Sequence, residues 1–196
     1  MPLVPRLSLG IARAAGAVRD LVLPPRCAAC DGDFDPRDSS SSPGDRDDGV
    51  QICQSCRPRV PRFEFEPCPR CLAPLPRAGE QLLACRYCFR WKPRFTRALA
   101  LGPYEGLLRD LVLRNKIDAT GVLSRALAGL AWERLGEELR ALQFDVVAAP
   151  PMHWRRRWQQ GFNPQAALAR QTAARLRAPA DPDLLRLRRD VPRQVG

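Results

Sequence analysis

The residues best suited to chemistry in this chain are its cysteines, which form four Cys-x-x-Cys pairs. Two thiolates separated by two residues lie on one tight turn, and two such turns form a tetrahedral cage of four sulfur atoms around Zn²⁺. Four pairs therefore predict two structural zinc ions, since a closed four-thiolate site leaves no open position for a substrate. The eight predicted ligands are Cys27, Cys30, Cys53, Cys56, Cys68, Cys71, Cys85 and Cys88.

Other uses of these cysteines fit the sequence less well. Disulfides need an oxidising compartment, and residues 1–22 lack the uninterrupted apolar stretch of a secretory signal or membrane span. Iron–sulfur proteins carry clustered cysteine runs that are absent here, and a thioredoxin-like role would explain one pair but not four. We therefore expect a cytoplasmic zinc protein without a transmembrane segment, in which residues 1–22 form an amphipathic helix.

The spacing of the pairs favours two ribbons that follow each other along the chain. Pairing in chain order gives a ribbon from 27 to 56 and another from 68 to 88, although an interleaved arrangement stays open. A polar, serine-rich tract at 33–49 enlarges the first ribbon, and we predict that it is a disordered insert. The double zinc ribbon is predicted to span residues 23–93.

The large positive net charge of the chain is weak evidence about its binding partners. The net charge is +11, but only two of the 32 basic residues are lysine. Arginine-rich, lysine-poor composition also results from a GC-rich coding sequence. The high charge therefore does not by itself predict a nucleic-acid partner.

The order of the elements predicted after the ribbons indicates an α/β layered fold. Strand, helix, helix, strand, loop and helix follow one another, and either Asp118 or Thr120 is expected to cap the second helix. Asn163 followed by Pro164 is typical of a helix start. The predicted strands are 95–104 and 144–149, and the predicted helices are 105–116, a leucine-rich segment through residues 123–142, and 163–176.

A basic and aromatic loop, HWRRRWQQGFN, is predicted at 153–163. Arginine binds phosphate through charge-assisted hydrogen bonds, indole rings stack on bases, and ligands often bind beyond the carboxyl end of a strand. The alternative is a surface loop whose tryptophans pack on the neighbouring helix, and the single histidine, His153, is not predicted to be a general base. The candidate phosphate- or nucleic-acid-binding residues are Trp154, Arg155, Arg156, Arg157, Trp158, Gly161 and Asn163.

The order and spacing of several motifs resemble those of the ComF/GntX-like family. The resemblance implies a double zinc ribbon followed, at 94–196, by a type I phosphoribosyltransferase-like domain with a link to natural competence and DNA uptake. It also implies that 150–163 faces the pyrophosphate of phosphoribosyl pyrophosphate. The motifs are LVLPPRCAAC (21–30), CPRCLAPLP (68–76), CRYC (85–88), YEGLLRDLVLRNK (104–116), VVAAPPMHWRRRWQQGFNPQ (146–165) and RLRRDVPRQVG (186–196).

The chain departs from that family in two respects. Gln160 stands where the family usually has arginine, and Pro164 stands where it usually has glutamine. The acidic pair and the Thr-Thr-Gly turn that cradle the 5-phosphate in the family are also missing, so we expect a truncated, incomplete α/β domain that is inactive as a transferase. Binding of phosphoribosyl pyrophosphate is accordingly in doubt.

A second class of function stays open, a zinc-ribbon module without enzymatic activity. In this reading the ribbon arginines and the segment 153–163 contact single-stranded DNA or proteins of the competence machinery. The ribbon arginines are Arg57, Arg59, Arg62, Arg70, Arg86 and Arg90.

Overall fold

The computed structural model describes residues 26–33, 52–78, 81–82 and 84–187. The predicted helix at 1–22 and all but the first residue of the predicted insert at 33–49 lie outside these ranges. Within them, the helices are α1 Arg86–Trp91, α2 Gly106–Asn115, α3 Val122–Arg140, α4 Trp154–Gln160 and α5 Pro164–Leu176, with a short 3-10 helix at Arg57–Arg59.

Two short strand pairs accompany the described helices. The antiparallel pair consists of β1, Arg77–Ala78, and β2, Gln81–Leu82, and lies between the cysteine pairs of the second ribbon. The parallel pair consists of β3, Val147–Ala148, and β4, Ala180–Asp181, with α4 and α5 in the crossover between them. The predicted strand at 144–149 is thus shorter than expected, but it does pair in parallel.

Helices α2 and α3 follow the apolar periodicity of their sequences. Leu108 and Leu111 of α2 are buried, as are Leu123, Leu127 and Leu130 of α3. Leucines three or four residues apart lie on one face of a helix, and this face turns inward. Both helices are confirmed, with bounds within a few residues of the predicted ones.

The helix starts are also explained by particular side chains. Asp118 Oδ2 accepts a hydrogen bond from the Leu123 N–H at 2.7 Å, and Thr120 Oγ1 accepts one from the Val122 N–H at 3.3 Å. Both predicted capping residues of α3 therefore satisfy free backbone donors, although Gly121 occupies the N-cap position itself.

The main hydrophobic core joins α2 and α3 to the first ribbon. Cys27, Ile52, Cys56 and Val60 are buried together with the inward-facing leucines of these two helices. A smaller cluster forms where Ala149, just after β3, packs on α5. The first ribbon and the helical region are therefore packed around one core.

The predicted strand at 95–104 is wrong, because this segment has irregular backbone in the structure. Two of its carbonyl oxygens accept hydrogen bonds from arginine side chains: Arg70 Nε donates to the Phe95 carbonyl and Arg134 Nη1 to the Leu101 carbonyl, both at 3.0 Å. At Gly102 the chain passes so close to Pro61 that a Cβ would collide with the Pro61 carbonyl oxygen. Close contact with the first ribbon near Gly102, and not sheet pairing, therefore positions this part of the segment.

Arg134 of α3 fixes this segment and the end of the first ribbon to the helical region. Its guanidinium donates hydrogen bonds of 3.0 to 3.3 Å to four backbone carbonyls, and burial, followed by nearby Arg62, lowers its pKa. Hydrogen bonds from a charged donor are stronger than those between neutral groups. The acceptors are the carbonyls of Arg57, Val60, Pro61 and Leu101.

We expect Arg134→Met to lower the free energy of unfolding by about 3 kcal/mol, because it keeps the apolar stem but leaves partly buried carbonyls without their donor. Urea denaturation followed by circular dichroism measures this change. The control is Arg109→Met on the exposed side of α2, for which a change below about 0.5 kcal/mol is expected. Equal stability of the two variants would contradict the role of Arg134.

Candidate metal centres

The first candidate metal centre consists of Cys27, Cys30, Cys53 and Cys56. Their sulfur atoms all lie within 4.8 Å of one another, and the Cys30 and Cys53 Sγ atoms are 3.9 Å apart. Each pair sits on a turn closed by backbone hydrogen bonds. The Asp31 N–H donates to the Cys27 carbonyl and the Cys56 N–H donates to the Cys53 carbonyl. Short-range turn geometry therefore aims both thiols of each pair at one point.

The second candidate metal centre consists of Cys68, Cys71, Cys85 and Cys88. Its sulfur atoms also lie within 4.8 Å of one another, with 3.8 Å from Cys68 Sγ to Cys88 Sγ and 3.6 Å from Cys71 Sγ to Cys85 Sγ. The first pair sits on a turn in which Leu72 has a positive φ of 64°. The second pair sits at the start of α1, where Cys85 is the N-cap.

These distances fit a tetrahedral site for zinc. A Zn–S bond of about 2.3 Å gives sulfur atoms about 3.8 Å apart at the corners of a tetrahedron. Three of the separations, at 3.6 to 3.9 Å, agree with that value, and all eight thiols are free of disulfides. The cysteines are also grouped in chain order, as the preferred pairing predicts.

Backbone donors and burial tune the thiols of the first centre. Cys27 Sγ accepts hydrogen bonds from the N–H groups of Ala29, at 3.4 Å, and of Cys53, at 3.3 Å. Burial raises the pKa of Cys53, but hydrogen bonds from Ser55 and Cys27 outweigh it and bring the value to about 6. Burial raises the pKa of Cys56 to about 12. One thiol is thus readily ionised, whereas its partner must lose its proton when a metal binds.

The second centre also combines a thiol of lowered pKa with a thiol of raised pKa. A backbone hydrogen bond at Cys71 is the main cause that lowers the pKa of Cys68, to about 7. Burial, followed by hydrogen bonding to Cys71 and Cys68, raises the pKa of Cys88 to about 12. Metal binding at either centre therefore releases protons, and metal affinity should rise with pH.

The two centres differ in what surrounds them. Cys27 and Cys56 belong to the main core, in contact with the buried face of the helical region. Within the described residues, none of the second centre's cysteines belongs to that core, although Cys68 is buried. A zinc ion at the first centre would therefore crosslink a ribbon that is part of the main core. A zinc ion at the second centre would crosslink a ribbon whose cysteines lie outside that core.

The segment 153–163 is a helix, so the prediction of a loop is wrong. Trp154–Gln160 forms α4, whose end is set by Gly161 in the left-handed region at φ 75°. Trp154 and Trp158, one turn apart, are 63% and 82% exposed. Both rings are therefore largely exposed to solvent, and binding of phosphate or nucleic acid by this segment stays a prediction.

Several of the candidate residues in this segment already have partners. Arg157 forms an ion pair with Asp183 at 3.0 Å, and the Arg155 guanidinium lies over the Trp154 ring, 5.3 Å from its centre. Arg156 is half-buried. Asn163 caps α5 by accepting hydrogen bonds from the N–H groups of Gln165 and Ala166. Gly161 and Asn163 therefore have structural roles in ending one helix and starting the next.

A second aromatic and basic surface lies on and after α1. Residues 84–97 include five basic residues and no acidic ones. The sequence RYCFRWKPRF intersperses aromatic and basic residues and could have predicted this surface. It was overlooked because two of its neighbouring cysteines were interpreted only as zinc ligands. We define the aromatic–basic surface as the exposed side chains Arg86, Tyr87, Phe89, Arg90, Trp91, Lys92, Arg94, Phe95 and Arg97.

The other ribbon arginines named above have mixed surroundings. Arg57 forms an ion pair with Glu133 at 3.0 Å and donates to the Ile52 carbonyl. Arg70 donates to the carbonyls of Pro93 and Phe95. These two arginines hold the ribbons in place, whereas Arg59 and Arg62 are exposed.

None of the helices in the described ranges is long and apolar enough to cross a membrane. No protein-family model matches the sequence, and comparison with curated proteins and with solved structures gives no significant match.

We expect the two metal centres to affect the helical region unequally. Cys56→Ser should lower the melting temperature of the helical circular dichroism signal by about 10 °C or more, since it removes both a metal ligand and a core contact. Cys71→Ser should change it by less than about 3 °C. Metal analysis should show one ion lost in each variant. Equal shifts in melting temperature would contradict this difference between the centres.

Proposed function

We propose that this chain is a double zinc-ribbon protein that binds single-stranded nucleic acid through its aromatic–basic surface. One observation carries the proposal: large aromatic side chains are exposed beside basic side chains that form no ion pair among the described residues, on and just after a helix that begins at a candidate metal centre. The resemblance to a family linked to DNA uptake agrees with such a partner.

The aromatic side chains supply the stacking component. Phe89 is 83% exposed and Trp91 is 67% exposed, and Trp91 meets Phe95 edge to face with ring centres 5.9 Å apart. Exposed aromatic side chains clustered in this way are typical of interaction sites. Stacking of a base on such a ring contributes about 1–3 kcal/mol and tolerates any sequence.

The cations supply the phosphate-binding component. Among the described residues, none of the five basic side chains of this surface forms an ion pair. An apolar protein partner would cover the rings but leave these charges without counterions. A single strand carries both flat bases and phosphates, so it matches the whole surface.

The metal centre keeps this surface in place. Cys85 and Cys88, two predicted ligands, lie at the start and in the first turn of α1. Arg70, in the turn of the other cysteine pair, binds the carbonyls of Pro93 and Phe95. A zinc ion at this centre would hold the surface in place before a ligand arrives, which lowers the entropy cost of binding.

A second candidate function follows from the position of α4. This helix begins a few residues after the carboxyl end of β3, in a parallel β3–β4 unit, where α/β folds commonly bind ligands. The ComF/GntX-like resemblance makes phosphoribosyl pyrophosphate the candidate ligand there. This candidate ranks second because Arg157 is engaged in an ion pair with Asp183.

Fluorescence anisotropy with a labelled oligothymidylate of about 20 nucleotides tests the first proposal. Binding that neutralises about three phosphates should weaken roughly 20-fold between about 50 mM and about 200 mM salt, because counterions are released. Phe89→Ala combined with Trp91→Ala should weaken binding about 30-fold, through the loss of stacking.

Two controls locate the site. Tyr104→Ala removes an exposed aromatic side chain outside the surface and should leave affinity unchanged. Trp154→Ala combined with Trp158→Ala tests α4. If this double variant loses more affinity for the oligonucleotide than the Phe89 and Trp91 double variant, the binding site is on α4 instead. Titration with phosphoribosyl pyrophosphate, repeated with Arg155→Gln and Arg156→Gln, tests the second candidate. Salt-independent binding of DNA, or none, would refute the first.

A further inference from the structure

A cleft lies between the carboxyl-terminal ends of α3 and α5, away from both surfaces described above. Its volume is about 600 Å³, within the usual range for small-molecule sites. It also reaches the residues just before β3 and β4, so it lies at the opposite end of β3 from α4. The lining residues used below are Trp132, Arg140, Phe144, Arg175, Leu176 and Arg177.

The cleft is strongly basic. Arg140, Arg175 and Arg177 line it, and no acidic side chain is among the lining residues that the structure describes. The guanidinium groups of Arg140 and Arg177 give this concave surface a positive potential, which low-dielectric walls strengthen. Such a site favours an anion, and guanidinium groups match the geometry of phosphate in particular.

Backbone donors already satisfy several of the carbonyls at these two helix ends. Basic side chains often stabilise the free carbonyls at helix carboxyl ends. At the end of α5, however, the backbone N–H groups of Arg177 and Ala178 already donate to the Ala173 carbonyl, and that of Arg177 also donates to the Ala174 carbonyl. At the end of α3, the Ala141 N–H donates to the carbonyls of Glu137 and Leu139.

The remaining lining is aromatic and aliphatic. The guanidinium of Arg140 lies over the Trp132 ring, 4.9 Å from its centre, so a planar cation and a planar ring are already stacked at the wall. Phe144 and Leu176 add apolar surface to the same cleft. The lining thus offers flat and apolar contacts next to positive charge.

We propose that this cleft binds a nucleoside phosphate, with the base against the aromatic and aliphatic lining and the phosphate on the arginines. The walls are the two helices that pack most extensively against each other among the described elements, so the site is preformed. This proposal does not depend on the function of the aromatic–basic surface, because none of the cleft's lining residues belongs to it.

Isothermal titration of the full chain with adenosine 5′-monophosphate tests the proposal. Arg140→Gln combined with Arg177→Gln should weaken binding at least about tenfold, because each change removes a charge-assisted contact. Arg177→Gln alone, at the exposed end of α5, should weaken it measurably and serves if the double variant fails to fold. Arg109→Gln, on the exposed side of α2, is the matched control and should bind like the parent chain.

Two further ligands and one further variant separate the alternatives. Adenosine and pyrophosphate should each bind at least about tenfold more weakly than the nucleotide, since each offers half of the contacts. Arg155→Gln with Arg156→Gln, on α4, should leave nucleotide affinity unchanged. The proposal is overturned if the nucleotide does not bind, if adenosine or pyrophosphate binds equally well, or if the α4 variant and not the cleft variant abolishes binding.

Discussion

The packing of the first cysteine centre inside the main core is the constraint on which the rest of the structure depends. Cys27 and Cys56 are buried in one cluster with Leu111 and Leu127. Buried thiolates such as those of Cys27 and Cys56 would be costly without a metal ion to compensate their charge. A zinc ion at this position would therefore stabilise the helical region as well as the ribbon.

Arginine side chains extend this coupling beyond the core. Arg134 holds the end of the first ribbon and the segment around Leu101 to α3, and Arg57 pairs with Glu133 on the same helix. From α2, Arg114 donates to the Ala29 carbonyl and contacts Asp31 in the first cysteine turn. These arginines are thus used inside the structure, and net charge alone overstates what is available for ligands. The aromatic–basic surface and the cleft stand out because their cations face outward or into a cavity.

Which features could be predicted from the sequence depends on how far apart along the chain the interacting residues lie. The cysteine turns, the leucine-rich helices and the caps at Asp118 and Asn163 were predictable, because each rests on residues a few positions apart. The segment at 95–104 was not, because its carbonyls are bound by Arg70 and Arg134 from distant parts of the chain. The helix α4 was missed because consecutive arginines gave no apolar period, although Gly161 could have marked its end. The cleft combines residues from α3, α5 and the loops that follow them, so no local pattern indicates it.

Amide hydrogen exchange on the metal-loaded chain, before and after removal of the metal by a strong chelator, tests the central claim most directly. If the first centre is part of the helical core, protection in α2 and α3 should be lost together with protection in residues 52–60. If α2 and α3 keep their protection after both metal ions have been removed, the first centre does not support the core, and this account of the structure is wrong.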